Sequence, residues 1–99
     1  MLNTEMKKDG NSMEFVLSGR LDTTTAPELE AQVKGNLENI EKLCFDFKDL
    51  EYISSAGLRV LLGAQKIMSK QGSMVVKNCS EEVKYVFDVT GFTEILTIE

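Results

Sequence analysis

The sequence predicts an α/β domain with a mixed, mostly parallel sheet, an antiparallel strand at its N-terminal edge, and flanking helices. After two alternating segments joined by a tight turn, short apolar strands alternate with segments of helical spacing, which is typical of parallel sheets. The chain has 99 residues, 42% of them hydrophobic, which suffices for one modest core. We therefore expect a single domain over residues 1–99.

The first two strands are predicted from a two-residue periodicity. Apolar and polar residues alternate from Leu2 to Lys7 and again from Met13 to Leu17. Between them, Asp9-Gly10-Asn11 supplies residues that tolerate positive φ, which favours a hairpin turn. The two strands are therefore expected to pair antiparallel.

The first helix is predicted to run from about Ala26 to Leu37. Thr25 and Glu28 have the spacing of a capping box, and Pro27 lies in the first turn, where its missing N–H costs no hydrogen bond. The apolar residues that recur at helical spacing are Ala26, Leu29, Val33 and Leu37.

The centre of the chain predicts a strand that is apolar on both faces, then a loop, then a largely buried helix. The strand contains Leu43, Phe45 and Phe47, and the helix begins at Ser54 and Ser55. Its polar stripe is narrow and consists of Arg59, Gly63, Lys66 and Lys70. Two predicted loops, residues 19–25 and 49–55, are expected to meet at the carboxyl ends of the strands, where sites gather in such sheets.

The C-terminal third predicts a strand, a helix and a last short strand. The strand runs from Ser73 to Lys77, and the helix begins after Ser80 and ends at Gly91. The last strand is predicted from three apolar residues, Ile95, Leu96 and Ile98.

Composition argues against several classes of function. The net charge is −5 and lysines alternate with acids, so we expect no nucleic-acid partner and no anionic membrane surface. No apolar run approaches the ~20 residues that span a bilayer, and residues 1–9 lack a secretory pattern, so we expect a cytoplasmic protein. Without histidine or a C-x-x-C pair, we expect no metal, no cofactor and no catalytic serine; Cys44 and Cys79 are predicted to be reduced core residues.

The start of the second predicted helix is the strongest candidate site. Backbone N–H groups there lack helical partners and attract negative charge, so a hydroxyl at this position can carry a phosphate without disrupting the fold. Ser54 and Ser55 occupy this position, and the small residues Ala56 and Gly57 are expected to let a partner approach. Arg59 lies one turn beyond Ser55. Its guanidinium could bind a phosphate there, or it could simply belong to a solvent-exposed basic stripe.

These residues carry a resemblance to a known family. The segment from Asp46 to Leu58, with its Ile53-Ser54-Ser55-Ala56-Gly57 centre, resembles the signature of the STAS domain of bacterial anti-sigma factor antagonists. Residues 19–26, 72–76 and 83–92 are similar to further segments of that family, so the resemblance covers essentially the whole chain.

The resemblance implies a switch rather than an enzyme. In that family an anti-sigma factor that is a serine kinase phosphorylates a serine that matches Ser55. The unphosphorylated antagonist binds the anti-sigma factor and frees the sigma factor; phosphorylation releases it, and a metal-dependent serine phosphatase restores it. The residues that would contact the partner are Asp22, Thr24, Ser54, Ser55, Ala56, Gly57 and Arg59.

One departure from the family pattern leaves alternatives open. Many members carry aspartate directly before the acceptor, where this chain has Ser54, so Ser54 is the alternative acceptor. A STAS module that is never phosphorylated, and senses, scaffolds or binds a nucleotide, is the second functional hypothesis. A small enzyme that holds a phosphate at Ser55 ranks last, because no base or glycine-rich cradle accompanies it. A monomer is the simplest oligomeric state.

Overall fold

In the computed structural model, which describes all 99 residues, one four-stranded sheet is covered on one face by three helices. The strands lie in the order β1-β2-β3-β4. The elements are β1 (Leu2–Asp9), β2 (Ser12–Leu21), α1 (Ala26–Asn36), β3 (Lys42–Ile53), α2 (Ser55–Met68), β4 (Ser73–Lys77), α3 (Glu81–Thr90) and a 3-10 turn (Phe92–Glu94).

The sheet is mixed, as predicted. β1 and β2 pair antiparallel, whereas β2–β3 and β3–β4 pair parallel. The hairpin turn between β1 and β2 has Gly10 at φ +61°, which suits a two-residue turn with glycine first. The predicted α/β class, the antiparallel N-terminal edge strand and the hairpin are therefore confirmed.

One apolar cluster fills the space between the sheet and the helices. Phe15 stacks on Phe45 with ring centroids 5.4 Å apart, and the contacts continue through Phe47 to Phe87 of α3. All four rings are fully buried. Packing between large, well-ordered side chains of this kind dominates the stability of a small domain.

The opposite face of the sheet is open, so the prediction of a central strand apolar on both sides is wrong. Cys44 and Asp46 alternate with the buried phenylalanines of β3 and point to this open face, where Glu14 and Lys77 form an ion pair at 3.0 Å. Cys79, just after β4, is also only half-buried, so both cysteines lie at the margin of the core. Burial raises the pKa of both thiols, that of Cys79 to about 11, which disfavours the reactive thiolate.

Both loops predicted near the candidate site are shorter than expected. β3 continues to Ile53 and β2 to Leu21, so residues 49–53 and 19–21 are strand rather than loop. The β2–β3 register shifts between Val16 and Ser18 and between Gly19 and Arg20. These bulges bury Phe47, Leu50 and Ile53 at a spacing of three, which conceals the two-residue periodicity of a strand.

The last predicted strand is also wrong. A 3-10 turn follows Gly91, and the segment beyond it contributes one isolated bridge, between Val76 and Ile98. Leu96 alone of the three apolar residues is fully buried, so the segment covers the end of the core without a ladder of its own.

Candidate functional site

The carboxyl ends of β2 and β3 and the start of α2 meet at one place. Leu21 pairs with Ile53 in the parallel register, and the Ser54 N–H donates to the Leu21 carbonyl at 2.9 Å. Asp22 and Ser55 directly follow these linked residues. The expected convergence at this end of the sheet is confirmed, but short connections rather than long loops produce it.

Ser54 and Ser55 have different structural roles. Ser54 is the half-buried N-cap of α2, with extended backbone (φ −100°, ψ 176°), and its Oγ accepts from the Gly57 N–H at 3.4 Å. Ser55 is the first residue of the helix; its side chain is exposed, and its hydroxyl makes no hydrogen bond within the protein. The free hydroxyl at the helix start is therefore that of Ser55.

Gly57 is buried and faces the core rather than the surface. A Cβ atom on Gly57 would lie 2.7 Å from Leu21 Cγ and 2.9 Å from Ile53 Cγ1. The missing side chain lets the first turn of α2 pack closely against the strand ends. Ala56, which is half-buried, is the small residue that remains at the surface.

The two glycines of α2 provide a matched test of this packing. Gly63 has open space where its Cβ would lie, so Gly63→Ala is expected to raise the free energy of unfolding by about 0.5–1 kcal/mol through helix propensity. Gly57→Ala is expected to lower it by about 1–2 kcal/mol through overpacking. Chemical denaturation of both variants measures the difference; equal effects would show that Gly57 is not closely packed.

Asp22 organises the turn that leads into α1. Its Oδ1 accepts from the Thr24 hydroxyl at 2.7 Å and from the backbone N–H groups of Thr24 and Thr25 at 3.0 and 3.2 Å. Thr25 makes no capping bond to α1 and instead donates its hydroxyl to the Arg20 carbonyl at 2.9 Å, so the predicted capping box with Glu28 is wrong. Asp22 is therefore a structural acceptor, with Oδ2 facing Arg20 Nε at 3.9 Å.

These hydrogen bonds make the turn sensitive to acid. The Thr24 hydroxyl, together with the two backbone donors, holds the pKa of Asp22 below its ordinary value of 3.8, although partial burial acts in the opposite direction. Because the folded state binds the proton more weakly than the unfolded state, the stabilisation is complete above about pH 4 and is lost as the pH falls through the lowered pKa.

We therefore expect Asp22→Asn to lower the thermal midpoint at pH 7 and the difference from the wild type to shrink below pH 4. Asp49→Asn, at an exposed carboxyl that makes no hydrogen bond within the protein, is the control and is expected to change the midpoint little. A difference for Asp22→Asn that stays constant across the acid titration would contradict this account.

Arg59, one helical turn beyond Ser55, lines a shallow groove between the first turns of α1 and α2. The groove has a volume of about 250 Å³, and the Arg59 side chain is exposed. The residues that line it are Thr23, Ala26, Pro27, Glu30, Ala56, Arg59 and Val60. The groove is shallow and open to solvent.

Two further findings concern the chain as a whole. None of the helices is both long and apolar enough to cross a membrane. No group of three or more histidine, cysteine, aspartate or glutamate side chains is placed to hold a metal ion.

Comparison with known proteins identifies the family. The family model of the STAS domain matches residues 3–99. The anti-sigma-B factor antagonist of Bacillus subtilis (strain 168) is 33% identical over 98 residues, which cover 98% of this chain and 90% of that protein. The chain belongs to the STAS domain family. The resemblance drawn from the sequence is thus confirmed.

Two solved structures share this fold. An anti-sigma factor antagonist from Mycobacterium paratuberculosis has a TM-score of 0.89 at 20% identity, over 99% of this chain and 85% of that one. The Bacillus cell fate determinant SpoIIAA in its phosphorylated form has a TM-score of 0.77 at 17% identity, over 98% and 91% of the two chains.

Sequence reasoning missed one pair of residues near the carboxyl ends of β2 and β3. Arg20 and Tyr52 are neighbours in the β2–β3 register, and the guanidinium carbon of Arg20 lies 4.2 Å from the centre of the Tyr52 ring. Tyr52 is 41% exposed, although it is a large aromatic residue. An aromatic residue directly before the helix-start motif was the available signal, but only the bulged register reveals its cationic neighbour.

Proposed function

We propose that this chain is an anti-sigma factor antagonist whose docking is controlled by phosphorylation of Ser55. The unphosphorylated form binds an anti-sigma factor that is a serine kinase, and the sigma factor is thereby freed. Phosphorylation releases the antagonist, and a metal-dependent serine phosphatase restores it. The single observation that carries the proposal is the exposed, unbonded Ser55 hydroxyl at the start of α2.

The neighbouring Ser54 supports the choice of acceptor. Ser54 is half-buried and its Oγ already accepts the Gly57 N–H, so phosphorylation there would disrupt the cap. The Ser55 hydroxyl requires no such disruption. The serine that replaces the family's aspartate before the acceptor retains the capping function that aspartate would perform.

A phosphate on Ser55 is compatible with the folded domain. It would add about −1.5 to −2 charges at neutral pH. At a helix N-terminus this charge is stabilising by about 0.3–1 kcal/mol, so the phosphate would not unfold α2. The solved SpoIIAA structure in the phosphorylated form retains the fold that this chain adopts. The effect of the phosphate is therefore expected at the interface with the partner.

At that interface a phosphate would act by charge and bulk. A docked partner would cover Ser55 and Ala56, and a phosphate there would bring an unpaired charge into the contact. Burial of an unpaired charge costs several kcal/mol, which exceeds what a surface ion pair with Arg59 would return. Release then follows without a large change in the antagonist itself.

The rim of the docking surface contains an aromatic anchor. Tyr52 is held against Arg20, which in turn faces Asp22, so the ring is presented with restricted freedom. Tyrosine and arginine residues supply a large share of the binding energy in protein interfaces. We infer that Tyr52 contacts the anti-sigma factor directly, beside Asp22 and Thr24.

Tyr52→Ala is expected to weaken binding to the anti-sigma factor by about 2 kcal/mol, roughly 30-fold. The matched control is Tyr85→Ala on α3, where the tyrosine is 67% exposed and lies outside the proposed surface. Titration calorimetry with the unphosphorylated protein measures both variants. Equal affinities for the two variants would place the interface elsewhere.

The function itself is tested by release of a sigma factor. The purified chain is added to a preformed complex of a candidate kinase anti-sigma factor with its sigma factor, and free sigma factor is measured by gel filtration. We expect release without ATP, loss of release after incubation with ATP, and recovery with the phosphatase. Release that ATP never reverses, with no phosphate on the chain, would contradict control by phosphorylation, whereas no release at all would favour the STAS module that only senses or scaffolds.

A further inference from the structure

The outer edge of β1 is a second unpartnered surface, separate from the Ser55 site. β1 is the terminal strand of the sheet, and its residues from Glu5 to Asp9 are all exposed. Met6, an apolar side chain in the middle of this strand, is 45% exposed. A strand edge of this kind presents backbone N–H and C=O groups that can pair with another strand.

The β1–β2 hydrogen bonds determine which backbone groups point outward. The Arg20 N–H donates to the Met1 carbonyl at 3.0 Å, so these two residues form a hydrogen-bonded pair. Because such pairs alternate along an antiparallel ladder, the odd-numbered residues of β1 bond to β2. The N–H and C=O groups of Thr4, Met6 and Lys8 therefore face away from the sheet.

Charge then selects one way in which two copies can pair. In β1 only even-numbered residues offer outward backbone groups, so an even-numbered residue of one copy must pair with an even-numbered residue of the other. The two-fold axis of an antiparallel pair must then pass through a residue. If most of the strand is to pair, that residue is Glu5, Met6 or Lys7. Centring on Glu5 or on Lys7 sets two like charges directly opposite each other, which is destabilising. Centring on Met6 sets Glu5 opposite Lys7 of the second copy, and this ion pair occurs twice because of the two-fold symmetry.

We propose that two copies of this chain associate through β1 in the register centred on Met6, so that one sheet continues across both copies. In this register the backbone of Met6 hydrogen-bonds to Met6 of the second copy, and the backbone of Thr4 hydrogen-bonds to Lys8 of the second copy. Glu5 and Lys7 occupy the closely spaced, non-hydrogen-bonded positions, where side chains interact most directly. The two exposed Met6 side chains lie side by side at the centre.

This register also removes the protection that lysines give to an edge strand. Lysine on an edge ordinarily discourages pairing with another strand. Here Lys7 faces Glu5 and Lys8 faces Thr4, so neither lysine meets a like charge.

The contact involves a single strand from each copy, so the dimer is expected to be weak and concentration-dependent, and the monomer expected from the sequence prevails in dilute solution. Ser55 and Asp22 do not lie on β1, and the proposal does not depend on the proposed function.

Sedimentation velocity over a concentration series tests the proposal with a charge exchange. Glu5→Lys and Lys7→Glu alone each place like charges opposite one another, and each is expected to weaken dimerisation roughly ten-fold. The double variant E5K/K7E restores opposite charges and is expected to restore the dimer. Glu38→Lys, at an exposed residue outside β1, is the control for net charge and is expected to have no effect.

Thermal unfolding verifies that each variant is folded, which is expected because all the altered side chains are exposed. Three results would overturn the proposal: a monomer at every concentration, a dimer that neither single variant weakens, and a double variant that is no better than the single variants.

Discussion

Ser55→Glu is expected to weaken binding to the anti-sigma factor by about 3 kcal/mol, on the order of 100-fold. The carboxylate imitates part of the phosphate charge, and docking would bury it without a partner. Ser55→Ala keeps the surface neutral and is expected to bind as tightly as the unphosphorylated protein. Titration calorimetry against the same anti-sigma factor measures all three proteins.

The matched control for this comparison is Ser69→Glu, at an exposed serine at the opposite end of α2. It introduces the same charge just beyond the C-terminal end of α2, away from Ser55, so an effect of net charge alone would appear in both variants. We expect Ser69→Glu to bind with nearly unchanged affinity. Equal affinities for Ser55→Ala and Ser55→Glu would refute the account of release.

Ser55→Ala is also expected to abolish phosphate incorporation by a kinase anti-sigma factor. The exposed Ser55 hydroxyl is free to react, whereas that of Ser54 is committed to the helix cap. Ser54→Ala is therefore expected to remain a substrate while its free energy of unfolding falls by about 1 kcal/mol through loss of the cap. Mass spectrometry after incubation with ATP locates the phosphate.

The two serine variants have opposite expected outcomes, so they also decide between the two acceptors. If Ser55→Ala were still phosphorylated and Ser54→Ala were not, Ser54 would be the phosphate acceptor. Denaturation of the same samples distinguishes a lost acceptor from a lost fold, because only Ser54→Ala is expected to be destabilised.

The sequence allowed the helical part of the site to be predicted, because its signals are local. The apolar stripe of α2 and the serines at its start depend on residue spacing alone, and Ser54 forms the predicted cap. The hairpin at Gly10 was equally local. For the same reason the order of the four strands and three helices followed from the sequence, whereas the family resemblance rests on motifs such as that of residues 46–58.

The strand ends of the site could not be predicted, because bulges there change which residues are neighbours. Leu50 and Ile53 are buried at a spacing of three, which does not indicate a strand, so the sequence predicts a loop over residues 49–55. The Arg20–Tyr52 contact and the inward position of Gly57 both depend on this longer strand. These features depend on which residues of β2 and β3 are paired across the sheet, and residue type alone does not indicate that pairing.

The role of Asp22 illustrates a further limit of sequence reasoning. Its position near the site was expected, but its hydrogen bonds to Thr24 and Thr25 make it a structural residue of the turn. A carboxylate that orders a docking surface and one that contacts a partner can occupy the same sequence position. The two roles can be told apart only from the structure, which shows that Oδ1 of Asp22 already accepts hydrogen bonds from Thr24 and Thr25.

The most direct test of the account is the affinity of fully phosphorylated protein for its anti-sigma factor, measured before and after treatment with a phosphatase. The account predicts weak binding that returns to full strength on dephosphorylation, with the same unfolding midpoint, to within a few degrees, in both states. Unchanged affinity, or a phosphorylated domain that is unfolded, would contradict it.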